Sequence, residues 1–310
     1  MISSLVRPLL FFVFLICSCT LLAQDEGESL LDLLGEDDIT IYTSASFKTT
    51  LVVNLESIEN THAGVLDFKI MHRFGPVNGG FYEFWGLDNA STRLGFKYGL
   101  TDRLELGLGR SSLNKNYDGS IKWKILWQST GSKNMPLSLS FYTLASYKSI
   151  RYDENDPREV YKVDRFNYTF QFLVARKFNE SLSLQLVPSL VHRNYVETSA
   201  ESNDVFSLGA AGRIKLSKRL SLNLEYYYSF PNQLAEMYTN PFSIGLDIET
   251  GGHVFQLLFT NANGMVADAV ITETTGKWGN GDIRFGFNVS RVFTIVDPQK
   301  EKVKKEKEKE

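Results

Sequence analysis

Leu220-Ser221-Leu222-Asn223-Leu224-Glu225-Tyr226-Tyr227-Tyr228-Ser229-Phe230 sets an apolar or aromatic side chain at every even position and, Tyr227 aside, a polar one at every odd position. Successive side chains of a strand point to opposite faces, so this period of two describes a strand with one apolar and one polar surface. The same pattern runs through Phe166, Tyr168, Phe170, Phe172 and Val174, through Phe242, Ile244, Leu246 and Ile248, and through Ile283, Phe285, Phe287, Val289 and Phe293. Further strands are read at 65–74, 91–100, 103–110, 120–129, 137–149, 181–193, 204–216 and 253–261. Helical spacing is almost absent from about Phe47 to Ile295.

Two architectures could use such strands. In a soluble sandwich the apolar faces of two sheets meet; in a membrane barrel they meet lipid. Three features favour the barrel. The strands run longer than the usual globular length and match a tilted bilayer span. Aromatic residues such as Trp123, Trp127, Tyr147, Tyr226, Tyr228 and Phe230 fall at strand ends, where an interfacial girdle belongs. Connections also alternate in length. Tight turns at 100–103, 178–181, 216–219 and 249–252 separate longer polar loops near 111–119, 150–164, 194–203, 231–240 and 262–281. The predicted fold is an all-β, transmembrane, antiparallel up-and-down barrel with short periplasmic turns and a periplasmic C-terminus.

Counting back from 281–296 gives twelve strands between 65 and 296. Phe47, Thr49, Leu51, Val53 and Leu55 alternate with Lys48, Thr50, Val52 and Asn54, and resemble a thirteenth. Bacterial single-chain barrels have even strand numbers, so either residues 39–46 add a partner to make fourteen, or the 24–56 segment starts in the lumen or periplasm and the barrel has twelve. Twelve is the favoured count.

Leu9 to Leu22 is apolar, follows Arg7 and ends before Ala23-Gln24-Asp25-Glu26, the layout of a secretory signal peptide at 1–23. Cys17 and Cys19, the chain's two cysteines, lie inside it. Cleavage would leave a mature chain without disulfide, thiolate nucleophile or Cys-bound metal. The expected organisation is then an acidic segment at 24–44, the barrel at 45–296 and a charged periplasmic tail at 297–310. With 36 acidic against 33 basic residues among 310, the chain lacks the basic surplus of a nucleic-acid binder.

His72-Arg73-Phe74-Gly75, Trp85-Gly86-Leu87-Asp88-Asn89-Ala90, Arg93-Leu94-Gly95-Phe96-Lys97-Tyr98-Gly99-Leu100-Thr101-Asp102-Arg103-Leu104 and Gly107-Leu108-Gly109-Arg110-Ser111 together resemble a family of exported barrel proteins of the Bacteroidota, known as domain of unknown function 5777. The resemblance extends from about residue 45 to 296 and is densest between 65 and 130. It implies an outer-membrane barrel and brings no catalytic or ligand residues with it.

Apolar faces turned to lipid leave the polar phase for the lumen. Lys69, Arg73, Arg93, Lys97, Arg103, Lys122 and Lys124 then form a basic wall, with Asp67 and Glu105 among them. Glu225, Asp247, Glu249 and Asp282 form an acidic wall, with Arg284 beside them. In a water-filled pore such a division selects solutes by charge; in a closed lumen the same charges pair and hold the barrel together. The acidic run 24–38 is a candidate plug against Lys97, Arg103, Lys122 and Lys124, or else a periplasmic peptide for a partner.

The leading expectation is a porin-like channel for small polar or charged solutes, in contact with outer-membrane lipid. The alternative is a closed scaffold barrel that binds another envelope protein through loops or termini. Catalysis is not expected: His62, His72, His192 and His253 lack a flanking nucleophile in the sequence. No metal or other cofactor is expected either, since Asp153, Glu154, Asp156 and Glu159 lack the glycine and spacing of a calcium loop. The strand glycines at 95, 99, 107, 109, 209 and 212 are read as places where the barrel bends or leaves room inside.

Overall fold

The computed structural model describes residues 39–151, 161–199 and 201–297. The proposed signal peptide, the acidic run 24–38, the loop carboxylates Asp153, Glu154, Asp156 and Glu159, and the tail from 298 lie outside them.

The wall strands are β2 (Val65–Pro76), β3 (Ala90–Gly99), β4 (Leu104–Ser111), β5 (Asn116–Leu126), β7 (Ser138–Lys148), β8 (Phe166–Lys177), β9 (Leu182–Arg193), β10 (Asp204–Lys215), β11 (Leu220–Ser229), β12 (Phe242–Thr250), β13 (His253–Thr260) and β14 (Arg284–Thr294). Each pairs antiparallel with its neighbour along the chain. The sheet closes where β14 meets β2, from Thr294 opposite Val65 to Arg284 opposite Pro76. Closure removes the sheet edges, so the wall strands' backbone polar groups are paired within the sheet; that is the condition for crossing hydrocarbon with strands. The twelve strands predicted are the twelve that form the wall.

The period of two decides which way each side chain faces. On β8, Asn167, Thr169, Gln171, Leu173 and Ala175 are buried inside, while Phe170 and Phe172 stand exposed outside. Outward rings meet in tilted pairs across neighbouring strands, Phe141 with Phe172 at 5.2 Å and Tyr147 with Phe166 at 4.9 Å between centroids. Burial here comes from what fills the barrel, since an open lumen of this size would leave the inward residues wet.

Turns at 100–103, 178–181, 216–219 and 251–252 lie at one end. The opposite end carries the connections 77–89, 112–115, 230–241 and 261–283, together with the described residues 149–151, 161–165, 194–199 and 201–203. Two differ from expectation. β5 starts at Asn116, so the loop read at 111–119 shrinks to 112–115; and the short-turn end holds a long connection, 127–137, which includes β6 (Ser129–Gly131). A small two-stranded sheet forms there as β6 pairs with β1 (Thr40–Tyr42), Ile41 opposite Thr130.

Candidate functional site: a lumen filled from both ends

From β1 the chain enters the lumen at the short-turn end. The Trp127 indole donates to the Thr43 carbonyl (2.7 Å), and the Arg213 guanidinium donates to the carbonyls of Ala45 (2.9 Å) and Ser46 (3.2 Å). Residues 49–57 then fold into a tight hairpin. Leu51 bridges Glu56, the Val52 amide donates to the Leu55 carbonyl (2.9 Å), and the Ser57 amide donates to the Thr50 carbonyl (3.0 Å). The alternation that resembled a thirteenth strand therefore belongs to a hairpin that never joins the wall. Its apolar residues face a protein core instead of lipid: Phe47, Val52, Val53, Leu55 and Ile58 are buried with Tyr142, Leu144, Leu173, Val187, Val191 and Tyr227 of the wall.

A second insertion comes from the long-loop end. The connection 261–283 carries the short helix α1 (Ala267–Thr272), all six residues of which are buried. Ala262, Val266, Ala267, Val270 and Ile271 join the same apolar cluster as the hairpin. Leu51, Met265 and Met71 of β2 form a smaller cluster, so hairpin, loop and wall meet inside the barrel. Asp268 of α1 accepts from Ser146 Oγ (2.6 Å) and Asn167 Nδ2 (2.8 Å), and Glu273 forms an ion pair with Lys148.

Polar contacts hold the hairpin in register. Glu225 of β11 accepts hydrogen bonds from three successive tip amides, Val53 (3.2 Å), Asn54 (3.3 Å) and Leu55 (3.1 Å). Opposite it, the Arg73 guanidinium donates to Asn54 Oδ1 at 2.8 and 3.2 Å. Asn288 Nδ2 donates to the Val53 carbonyl (2.8 Å), and Gln256 Nε2 to that of Val52 (2.7 Å). Glu56, on the returning arm, lies between two lysines: its carboxylate is 2.5 Å from Lys97 Nζ and 2.9 Å from Lys122 Nζ. Glu105 of β4 reaches the same lysines at 3.6 and 3.2 Å and also accepts from the Thr61 amide (2.6 Å).

Glycine makes the return path possible at Gly99. A Cβ there would lie 2.1 Å from the His62 carbonyl oxygen and 2.4 Å from that of Thr61, so the chain leaving the lumen can lie against β3 only where no side chain intervenes.

The basic residues predicted for the wall are placed as follows. Lys69, Arg73, Lys97, Lys122 and Lys124 are buried in the lumen, and Arg93 faces it in an ion pair with Asp118. Arg103 is exposed at the short-turn rim and donates to the Ile125 carbonyl (3.1 Å), so it is not a lumen residue. On the other side Glu225 and Asp247 are buried inside, and Glu249 meets Lys48 near the rim. Asp282 precedes β14, lies in the 261–283 connection and accepts from Asn78 Nδ2 (2.6 Å), so it too is outside the wall. Beside Glu105 of the wall, the second acidic partner of Lys97 and Lys122 is Glu56 of the hairpin. Sequence reasoning missed it because a carboxylate ending an alternating run reads as one more strand residue. A signal for the hairpin did exist: Val187, Val191 and Val205 are apolar in the polar phase of their strands, which marks an inner wall that packs against something.

The histidines take outward or rim positions. His72 Nδ1 is 2.9 Å from Thr92 Oγ1 with its ring stacked on Phe287, and His192 Nδ1 is 2.7 Å from Asp204. His62 in its turn reaches Asp102 at 3.4 Å.

The family model described as a membrane bound beta barrel domain, DUF5777, matches residues 47–293. The chain belongs to that family. The DUF5777 match begins at Phe47, so it takes in the lumen hairpin as well as the wall. No curated protein matches the chain. Among solved structures the DUF5777 barrel is similar to the NanC porin, at 8% identity and TM-score 0.46, over 74% of this chain and 100% of that one. It is similar to the KdgM porin at 10% identity and TM-score 0.44, over 74% and 99%. A third, at 10% identity and TM-score 0.43 over 75% and 91%, is outer membrane phospholipase A from Escherichia coli. At this distance these likenesses carry no argument about what the DUF5777 barrel does.

Proposed function

We propose that the protein is an outer-membrane barrel of porin-like architecture, non-catalytic, closed at rest by its own hairpin 49–57, and that it passes small polar or charged solutes when the hairpin leaves the lumen. In this reading the short turns and the C-terminus are periplasmic, and the hairpin enters from the periplasmic side. The supporting observation is the chemistry of the wall. Lysine, arginine, serine, threonine, asparagine and glutamine dominate the inward phase, and Ser140 Oγ, Thr169 Oγ1 and Ser207 Oγ face inward with no hydrogen-bond partner among the described residues. A barrel meant to stay dry would carry apolar residues there, because unmet buried polar groups cost about 1–3 kcal/mol each.

The alternative, a closed scaffold that binds another envelope protein, draws on Phe81, Tyr82, Phe84 and Trp85, which are exposed on the 77–89 loop, and on exposed Ile41 and Tyr42 of β1. One experiment separates the two. Val53 Cγ2 is 3.2 Å from where a Cβ on residue 245 would sit, so cysteines in the variant Val53→Cys/Gly245→Cys are within reach of a disulfide. In planar bilayers the oxidised variant should be silent, while the reduced variant and the parent protein show ion-conducting openings. A parent protein that folds, shows heat-modifiable migration and never conducts would overturn the channel and leave the scaffold reading.

A further inference from the structure

Glu56 is a carboxylate supplied by the chain itself to a pair of buried wall lysines. Of the other wall cations near it, Lys69 pairs with Asp67 at 2.7 Å, Arg93 pairs with Asp118, and Lys124 lies over the Trp127 ring, 4.5 Å from its centroid. Lys97 and Lys122 share the single wall carboxylate Glu105, which leaves one positive charge that only Glu56 neutralises. The hairpin and the residues that follow it also supply Lys122 with the carbonyls of Ser57 (3.4 Å) and Glu59 (2.6 Å), and Lys97 with that of Thr50 (3.5 Å). When the hairpin withdraws, all of these partners go with it. Two ammonium groups are then left against one carboxylate, facing the lumen.

A crevice next to Glu56 is lined by Lys69, Arg93, Lys97, Ser120 and Tyr142. Gly95 and Gly107 leave the space that neighbouring side chains take up: a Cβ at Gly107 would stand 2.3 Å from Ser120 Oγ and one at Gly95 would stand 2.8 Å from the Arg93 guanidinium. With the hairpin in place this crevice is no larger than a water molecule, so a solute larger than a bare carboxylate takes the volume that the hairpin vacates.

We propose that Lys97 and Lys122 form an anion-binding site of the open lumen, that its ligands are carboxylate-bearing solutes, and that Glu56 is a tethered occupant with which those solutes compete. This rests on the plugged-channel reading above. Binding of the solute carboxylate and departure of the hairpin are thus linked: a ligand that occupies the Glu56 seat stabilises the state in which the hairpin is out.

The test uses the full chain in planar bilayers, with citrate as the probe and sorbitol at equal osmolality as the neutral control. Citrate should raise the open fraction of the unaltered protein several-fold, and sorbitol should leave it unchanged. The variant Glu56→Gln should open without citrate, and under a potassium chloride gradient its reversal potential should lie on the anion side. Adding Lys97→Gln and Lys122→Gln to it should move that potential toward the cation side. The first two measurements leave both lysines intact, so they decide the matter even if the lysine variant does not fold. Openings that are indifferent to citrate, or that are cation-selective in Glu56→Gln, overturn the carboxylate site and leave the channel standing. Silence in every variant overturns the channel itself.

Discussion

Glu225 shows how much one residue can hold in a lumen. Its carboxylate accepts from three consecutive amides at the hairpin tip, which would otherwise be buried donors without acceptors. Hydrogen bonds to a charged acceptor contribute about 1.5–3 kcal/mol each. Glu225→Gln keeps the shape but removes the charge and turns an amide NH₂ toward those donors. The hairpin tip should loosen by about 2 kcal/mol, so amide exchange at Val53, Asn54 and Leu55 should quicken roughly thirtyfold while the strand amides stay protected. Unchanged exchange at these three positions would mean that the carboxylate does not hold the tip. Of such residue-level facts the sequence disclosed the inward phase of Glu225, Lys97 and Lys122, because period two needs only the chain itself. It could not disclose that Glu56 meets those lysines, since a contact between residues 41 and 66 positions away, Lys97 and Lys122 respectively, depends on where the chain turns inside the barrel.

Among elements, the hairpin and the 261–283 connection both pack inside the barrel, each with a different attachment. Burying Phe47, Val52, Val53, Leu55 and Ile58 stabilises the hairpin by about 1.5–3 kcal/mol per side chain. Ordering its backbone costs about 1–2 kcal/mol per residue. The two sums are of similar size, which leaves the polar latches to set how often it leaves. The loop is fastened by Asp268 to Ser146 and Asn167, and by Glu273 to Lys148. Asp268→Ala leaves the Asn167 amide without that acceptor and should weaken docking of α1 by about 1–3 kcal/mol. Limited proteolysis should then cut within 261–283 faster than in the parent, with heat-modifiable migration of the barrel unchanged; an equal cutting rate would show that apolar packing alone fastens the loop. The sequence treated 262–281 as one more outer loop, because a six-residue helix has too little periodicity to stand out.

For the whole molecule, the controlling fact is that an apolar outer face, a polar inner face and a closed sheet occur together. Phe172 lies near the middle of β8 on the outer face and is 46% exposed to the surroundings of the barrel. Phe172→Arg should cost about 2–4 kcal/mol in lipid, as a charge at the bilayer midplane does, while Phe172→Leu should cost far less. Urea titration of the protein refolded into vesicles measures both; equal stability of the two variants would argue that this face does not meet hydrocarbon.

The sequence by itself determined the barrel, the positions of its wall strands, and the face taken by most residues along them, including the inward charges Lys69, Arg73, Lys97, Lys122, Glu225 and Asp247. All of these follow from a local rule, the alternation of side chains along an extended chain, and from the need to pair every backbone group that crosses a membrane. Whether the lumen is filled was decided only by tertiary structure. Residues 47–55 carry the same alternation as the wall strands, yet they fold back on themselves because the inner surface offers an apolar patch at Val187, Val191 and Tyr227, a carboxylate at Glu225 and two lysines at Lys97 and Lys122. Those groups become neighbours only when the sheet has closed, and no spacing along the chain records their arrangement.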